Sequence, residues 1–390
     1  MNRDSLQFFA PCPRGLEHVC AHELTELGAA GVKATNGGVS VVGSFDLCYR
    51  INLESRIASR VLWQIAHCGY RNERDVYEAA RAIAWPDYFD VSRTLRVNVA
   101  ATNSPLKSLD FITLRIKDAV CDAFRDATGR RPSVDTTAPD VRIHAYFDER
   151  AVRIYLDTSG EALFKRGLRA KGMQAPLREN LAAGILRLAE WRPSLPLLDP
   201  MCGAGTFLLE AAEIALDRAA GARRSFGFEK LNMFDRNQWS AMLEQARGRE
   251  RPAQDCGIHG SDLYGEVLKV ARENLTHAGL ESAVSLKQAN VLELSPPASN
   301  GVLVTNPPYG VRLGEETELA QFYPKLGDAL KRRFAGWRAC IFTADMRLPK
   351  LIGLKPRRRT PLFNGALECR LYEFELIAGA MRRRKAGEEG

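Results

Sequence analysis

Leu195-Pro196-Leu197-Leu198-Asp199-Pro200-Met201-Cys202-Gly203-Ala204-Gly205-Thr206, continued by Phe207-Leu208-Leu209-Glu210-Ala211-Ala212, decides the fold. An apolar strand runs into an acidic residue, then a Gly-x-Gly turn, then an amphipathic helix. The glycines permit positive φ and let backbone approach a ligand closely. The helix start offers free N–H groups. A dinucleotide fingerprint needs a third glycine, where Phe207 and Leu208 stand instead. A P-loop needs Gly-Lys-Ser/Thr, which is absent. Asp199, just ahead of the loop, would repel a phosphate. A ligand carrying a cationic amino acid group and an adenosine fits better.

About a hundred residues downstream, the apolar run Gly301-Val302-Leu303-Val304-Thr305 ends in Asn306-Pro307-Pro308-Tyr309. Pro307 pushes Asn306 into an extended conformation and Pro308 stiffens the turn. The strand therefore ends on a fixed amide, free carbonyls and an aromatic ring. A flat nitrogenous group could stack on Tyr309 and donate its NH2 to the Asn306 side chain and the Pro307 carbonyl. A plain strand-ending turn is the competing reading.

From residue 176 on, strands are expected at 195–199, 256–261, 284–289, 301–305, 338–343, 358–363 and 369–377. Helices are expected at 177–191, 206–220, 264–278, 318–334 and near 347–352. This alternation means an α/β fold with a doubly wound, mostly parallel sheet, binding ligands at the carboxyl ends of its strands. The Gly loop, Asp262 and the Asn-Pro-Pro-Tyr turn all fall on that edge. Asp262 ends the second strand, where an acid can accept both hydroxyls of a ribose or simply cap the helix beginning near Gly265. Asn290 ends the third strand.

The N-terminal part mixes short strands and helices, as in a small α+β module. It reads as strand 5–10, helix 17–27, strand 39–42, helix 45–62, helix 77–83, strand 94–100, helix 109–128 and strands 141–146 and 151–156. Between Ser159 and Gln174, Lys165, Arg166, Arg169 and Lys171 lie among Gly160, Gly167 and Gly172. These charges are either a solvated linker or an electropositive bridge that tracks nucleic acid. Residues 221–255 are an insertion between the first helix and second strand of the α/β part, with no assigned role. Arg382-Arg383-Arg384-Lys385 belongs to a basic tail expected to fray.

Composition narrows the class. The 390 residues carry a formal charge of +8, and 45% of them are hydrophobic. That suits a globular chain of two or three domains with a polyanionic partner. No apolar run is long enough to span a membrane, and the N-terminus lacks a signal-peptide core. Nine cysteines occur without a Cys-x-x-Cys pair, which fits reduced thiols in the cytoplasm. His18 and His22 are helix neighbours without a third ligand, so no metal site is expected.

Taken together, Asp199 to Thr206 and Asn306 to Tyr309 resemble class I S-adenosylmethionine (SAM)-dependent methyltransferases that act on amino groups. Ala175-Pro176-Leu177-Arg178-Glu179-Asn180-Leu181-Ala182-Ala183 resembles the opening helix of THUMP-containing RNA methyltransferases. So does Leu362-Phe363-Asn364-Gly365-Ala366-Leu367-Glu368-Cys369-Arg370-Leu371-Tyr372. As a set these resemble the 23S rRNA guanine-N2 methyltransferases, the large-subunit methyltransferase L group, over nearly the whole chain.

The resemblance implies a Rossmann-like sheet of seven strands with the last antiparallel. It implies a ferredoxin-like piece at 1–50, an RNA-binding THUMP domain at 51–158, a basic linker at 159–175, the methyltransferase domain at 176–380 and a tail at 381–390. It further implies SAM near Asp199, Cys202, Gly203, Gly205 and Thr206, with Asp262 at the ribose and Asn290, where relatives mostly carry an acid, at the adenine. Arg178 and Asn180 would lie near the cofactor. Asn306 and Pro307 would bind the amino hydrogens of a flipped guanine and Tyr309 would stack on it, beside Pro308. Lys165, Arg166, Arg169 and Lys171 would contact RNA. The sulfonium activates its own methyl group, so no metal is required. Alternatives at this point are a THUMP-type tRNA guanine-N2 methyltransferase and a non-catalytic RNA-binding or ribosome-assembly factor. The chain ends about where one catalytic unit would, so any second methyltransferase activity is expected from another protein.

Overall fold

Element boundaries follow local chemistry in the computed structural model, which describes residues 5–169, 177–308 and 315–377, with backbone alone at 315–318. The described residues divide into two units. The first comprises residues 5–12, 17–166 and 219–248; the second comprises 13–16, 167–218 and 249–377 as far as described.

In chain order the elements begin β1 (Leu6–Pro11), α1 (Glu17–Glu26), β2 (Ala30–Thr35), β3 (Gly38–Gly43), α2 (Phe45–Glu54) and β4 (Leu62–Gly69). There follow α3 (Glu73–Arg81), β5 (Leu95–Ala101), α4 (Leu109–Thr128), β6 (Val141–Phe147) and β7 (Ala151–Asp157). The first unit pairs its strands into one seven-stranded sheet, β2-β3-β1-β4-β7-β6-β5. Only β5 and β6 run parallel. Helix α4 shows why such elements form where they do. Ser108 Oγ accepts from the Phe111 N–H at 3.2 Å, and Gly129 closes the helix at φ 72°. Ile112, Ile116, Ala119, Val120 and Phe124 recur at helical spacing and are buried.

Two strands here depart from the sequence expectation. The helix expected at 45–62 stops at Glu54 and β4 follows. Glu23 ends the helix: its carboxylate accepts from Ser55 Oγ (2.6 Å) and from the Arg56 and Ile57 N–H groups (3.0 and 3.3 Å). Strand β2 is mostly exposed, with a bulge between Ala30 and Lys33, and carries little apolar pattern.

The second unit holds α5 (Glu179–Leu188), β8 (Leu197–Asp199) and α6 (Thr206–Ala215). The chain then contributes α7 (Arg236–Gly248) to the first unit and returns as β9 (Ile258–Asp262), α8 (Gly265–Ala278), β10 (Val284–Gln288) and β11 (Gly301–Thr305). It finishes with α9 (Glu315–Arg333), β12 (Trp337–Thr343), α10 (Leu348–Leu351), β13 (Arg358–Asn364) and β14 (Leu367–Glu375). Its sheet has the order β10-β9-β8-β11-β12-β14-β13. β8 to β12 run parallel to one another, whereas β14 runs antiparallel to both β12 and β13. All five residues of β11 are buried, as a central parallel strand requires. Leu198, Leu303, Tyr323, Phe334, Trp337 and Tyr372 belong to the core on one side.

The insertion is the main departure in organisation. Residues 219–248 fold with the first unit rather than with the α/β domain that precedes and follows them. Phe226 and Phe228 stack at 5.1 Å, and Tyr49, Phe234 and Trp239 pack around Phe228 at 4.8, 5.9 and 5.0 Å. The Tyr49 hydroxyl accepts from the Asp235 N–H at 2.8 Å. Arg224 donates to the carbonyls of Ala162 and Glu161, both at 2.7 Å, and of Ser159 at 3.3 Å. The insertion is thus a structural part of the N-terminal unit, holding the end of β7 and the start of the linker.

Candidate active site

Parallel strands leave their polar ends on one edge, and the order β10-β9-β8-β11 sets Asn290, Asp262, Asp199 and Asn306 side by side there. Chain order reverses direction at β8, so the crevice between β8 and β11 is a topological switch point, the usual ligand site of such sheets. Gly203 (φ 55°) and Gly205 (φ 81°) both take left-handed backbone. Gly205 is the N-cap of α6 and leaves the helix start without a side-chain cap. The loop is pinned to β9 by two bonds. The Cys202 N–H donates to the Ser261 carbonyl (2.9 Å) and the Gly203 N–H donates to Asp262 Oδ2 (3.1 Å).

Asp199 is 2% exposed. Its Oδ1 accepts from Thr305 Oγ1 at 2.9 Å and from the Met201 N–H at 3.3 Å. Burial pushes its carboxyl up to about 7; the Thr305 and Met201 donors oppose that rise and the Asp262 charge adds to it. A cation beside Asp199 would reverse the penalty. The Thr305 bond also fixes the end of β11 against the end of β8, setting Asn306 next to the acid in the fold. Asn306 is half-buried, Pro307 buried and Pro308 exposed. Tyr309 lies outside the described residues.

Asp262 does not cap α8, whose N-cap is Tyr264 and which carries no side-chain cap; its Oδ1 accepts from the Tyr264 N–H at 3.3 Å in the turn that leads into the helix. Its other oxygen serves the Gly loop. Each oxygen keeps a further lone pair. Leu263 and Tyr264, just beyond, are 52% and 66% exposed, large apolar surface beside the loop. Asn290 Oδ1 accepts from the Leu292 N–H at 3.0 Å, which fixes the side chain in a turn. The Cys202 thiol is buried; burial first, then Asp199, pushes it up and keeps it protonated. Thr206 opens α6 and is buried.

Two of the four basic residues assigned to RNA, Arg166 and Arg169, turn inward. Arg166 is 3% exposed and donates to the Arg56 carbonyl at 2.6 Å inside the first unit. Arg169 donates to Thr206 Oγ1 (3.1 Å) and the Leu177 carbonyl (3.0 Å) and pairs with Glu179 at 3.4 Å. It braces the start of α6, beside the Gly loop, rather than facing solvent. Lys165 is exposed and pairs with Glu161 at 3.4 Å; Lys171 lies outside the described residues. Charge type alone suggested an open bridge, but guanidinium groups reach buried carbonyls and carboxylates through long stems. Arg178 is exposed at the N-cap of α5, its guanidinium 3.8 Å from where a Cβ on Gly365 would stand. That is the β13–β14 turn. Asn180 is buried in the first turn of α5.

Sequence reasoning missed Thr305 and Asn274. Asn274 lies on α8, fully buried, and its Nδ2 donates to the Ala204 carbonyl at 3.0 Å, between the two left-handed glycines. The signal was available: Leu268, Ala271, Leu275 and Ala278 form the buried stripe of α8, and Asn274 sits within it. Among the described residues no group of three His, Cys, Asp or Glu could hold a metal ion, and no helix is long and apolar enough to cross a membrane.

Known proteins match all three parts. Residues 7–62 match the RlmL ferredoxin-like domain, residues 70–157 the THUMP domain and residues 166–373 the RMKL-like methyltransferase domain. The Synechocystis sp. protein slr0064 is 41% identical over 370 residues, 95% of this chain and 96% of its own length. Ribosomal RNA large subunit methyltransferase K/L of Syntrophotalea carbinolica is 41% identical over 384 residues, 95% of this chain and 54% of its own. The chain therefore spans about half the length of that K/L relative. The crystal structure of SMU.472 complexed with SAH superposes with a TM-score of 0.88 at 29% identity, covering 97% of this chain and all of that one. With its ferredoxin-like and THUMP parts and its pinned Gly loop, the chain belongs to the RMKL-like methyltransferase family.

Proposed function

We propose that this chain transfers the methyl group of SAM to the exocyclic N2 of a guanine in 23S rRNA. The observation that carries the reading is the pairing of Asp199 with Thr305, which brings a buried, proton-hungry acid beside the Asn306 turn. Identity to the K/L relative over 95% of the chain supports large-subunit rRNA as substrate. The cofactor reading has the SAH complex of SMU.472 behind it.

The residues present fit such a cofactor. Asp199 would face its ammonium group, the Gly203–Gly205 loop would pass along its amino acid end, and Asp262 would take the ribose. Leu263 and Tyr264 would cover the adenine on one side, with Asn290 at its edge. Bound there, SAM supplies a methyl group already activated by its sulfonium. The chain's own task is positioning and electrostatics. Asn306 and the Pro307 carbonyl accept the guanine amino hydrogens, which draws the nitrogen lone pair out of the ring. Tyr309 holds the flipped base by stacking, worth roughly 1–3 kcal/mol. The N-terminal unit would hold the RNA through its THUMP part, in the cytoplasm where ribosomes are made.

The test is methyl transfer from labelled SAM to unmodified total RNA, followed by nucleoside digestion and mass analysis. N2-methylguanosine in 23S rRNA is expected. The same nucleoside in tRNA would move the target; N6-methyladenosine would overturn the acceptor atom. Asn306→Ala should lower turnover at least about a hundredfold while SAM affinity changes little.

A further inference from the structure

Residues 13–16 belong to the methyltransferase unit, although the chain on both sides of them belongs to the other. Gly15 adopts φ +92°, and a Cβ there would stand 2.3 Å from the Pro361 carbonyl oxygen, so this stretch lies directly on β13. Leu16, fully buried, occupies the space that a Cβ on Gly184 would fill at 2.2 Å. Immediately ahead of these two fixed points, Arg14 is held with its guanidinium 4.3 Å over the Phe363 ring. Arg14 is exposed, and among the described residues it forms no ion pair. Side-chain alternation puts Arg359, Pro361 and Phe363 on one face of β13. Arg359 is likewise exposed and without an acidic partner among the described residues. Its neighbours differ: Arg357 pairs with Glu375, and Arg358 approaches Glu373 at 3.9 Å.

The sheet says where this guanidinium points the chemistry. β13 is antiparallel to β14, which is antiparallel to β12, so β13 runs the way the parallel strands run. Its C-terminal end, Phe363-Asn364, emerges on the edge that carries Asp199 and Asn306. The cofactor residues occupy the β10-β9-β8 side of that edge; β12, β14 and β13 extend from β11 the other way. Three strand spacings separate β11 from β13, about 14 Å, a span of a few nucleotides. A surface arginine normally moves in solvent. Here a left-handed glycine and a side-chain-free helix position fix one against an aromatic ring, with no counterion among the described residues. A guanidinium fork suits a phosphate.

We infer that Arg14, stacked on Phe363, and Arg359 contact the backbone phosphates of single-stranded RNA beside the methylated nucleotide. The inference rests on the reading that the chain methylates RNA and names the acceptor side of that site. It predicts the behaviour of three variants of the full chain, Arg14→Ala, Arg14→Lys and Arg359→Gln, with an unmodified 23S rRNA fragment. Arg14→Ala and Arg359→Gln should each raise the KM for RNA roughly fivefold or more and flatten the log K against log salt slope by about 0.7. SAM affinity and kcat at saturating RNA should stay within about twofold. Arg14→Lys should keep the salt slope but recover only part of the affinity, since an ammonium cannot stack or fork.

If wild-type enzyme methylates the fragment and Arg14→Ala and Arg359→Gln leave KM and salt slope unchanged, the inference falls and the function stands. A loss in Arg14→Ala matched by an equal loss of thermal stability or SAM affinity, with Arg359→Gln silent, makes Arg14 a structural latch and also overturns it. Should no RNA be methylated by the wild type, the functional reading fails; direct binding of the same fragment across salt concentrations still decides whether these arginines meet phosphate.

Discussion

Asn274 offers the sharpest test of how the Gly loop, the proposed cofactor loop, is held. Asn274→Leu keeps the branched side-chain shape at somewhat greater bulk and removes the donor to the Ala204 carbonyl. That carbonyl lies between Gly203 at φ 55° and Gly205 at φ 81°. Both conformations are as accessible to glycine as many others, so little in the loop's own chemistry selects them. The bond from a fully buried side chain on α8 does part of that selection. Losing a part-buried hydrogen bond and leaving its acceptor unmet costs about 1–3 kcal/mol. Because a disordered loop must be re-ordered on binding, most of this should appear in cofactor affinity. The expected rise in Kd for SAM is roughly five- to a hundredfold. The melting temperature should fall by only about 2–4 °C. Titration calorimetry with SAM and with its demethylated product, beside thermal unfolding, measures both. A melting temperature that drops while both affinities hold would refute the argument, since α8 would then be losing packing rather than aiming the loop.

Other expectations follow from the same geometry. The Asp199 carboxyl is held at about 7 in the folded chain, above its ordinary 3.8. The native state therefore keeps a proton that the unfolded chain releases, and this contribution to stability is lost as pH rises from about 4 to about 7. Unfolding of Asp199→Asn against wild type across that window should show the slope disappear, while cofactor affinity of the wild type climbs up to about tenfold per pH unit below 7 and levels off above it. Thr305→Val removes a donor that favours the ionised acid, so the midpoint of that binding profile should move upward by roughly one pH unit; a downward move would contradict the assignment. Arg224→Met deprives the Ser159, Glu161 and Ala162 carbonyls of their donor, and denaturant titration should read a loss of about 2–3 kcal/mol. Gly15→Ala forces a side chain into left-handed backbone 2.3 Å from the Pro361 oxygen and should cost about 2 kcal/mol or more by the same measurement.

Most elements of the α/β half were legible because each carries its own signal. The run Val302-Leu303-Val304 can only be a buried strand, and the Gly loop needs no distant partner to be recognised. What escaped depended on contacts remote in sequence. Glu23 ends α2 from 32 residues away through Ser55, so the helix was read on to Leu62 and β4 was not foreseen. Arg166 and Arg169 were read as open cations because residue type does not reveal that one reaches the Arg56 carbonyl, 110 positions back, and the other Thr206. Phe226, Phe228 and Trp239 form no sustained strand or helix pattern, since Tyr49, far upstream, packs against Phe228 and Trp239. Asn274 was the recoverable miss. A polar residue within an apolar helical stripe must have a partner, and asking for that partner leads to the loop.

The membership of residues 219–248 in the first unit bears on how the molecule can be made and remade. The chain changes unit after Cys12, Leu16, Arg166, Arg218 and Gly248. During synthesis the aromatic face of Tyr49 has to wait some two hundred residues for Phe226, Phe228 and Trp239 to leave the ribosome. By then the first strand and helix of the catalytic half have already emerged. The N-terminal half is therefore not an ordinary module that recombination can lift out at a linker. A cut after Arg166 strips it of its aromatic packing, and a catalytic fragment starting at Gly167 carries an orphaned apolar excursion. Exchange of RNA-recognition parts between such enzymes would have to transplant both pieces at once, which ties the choice of substrate to the evolution of the catalytic half.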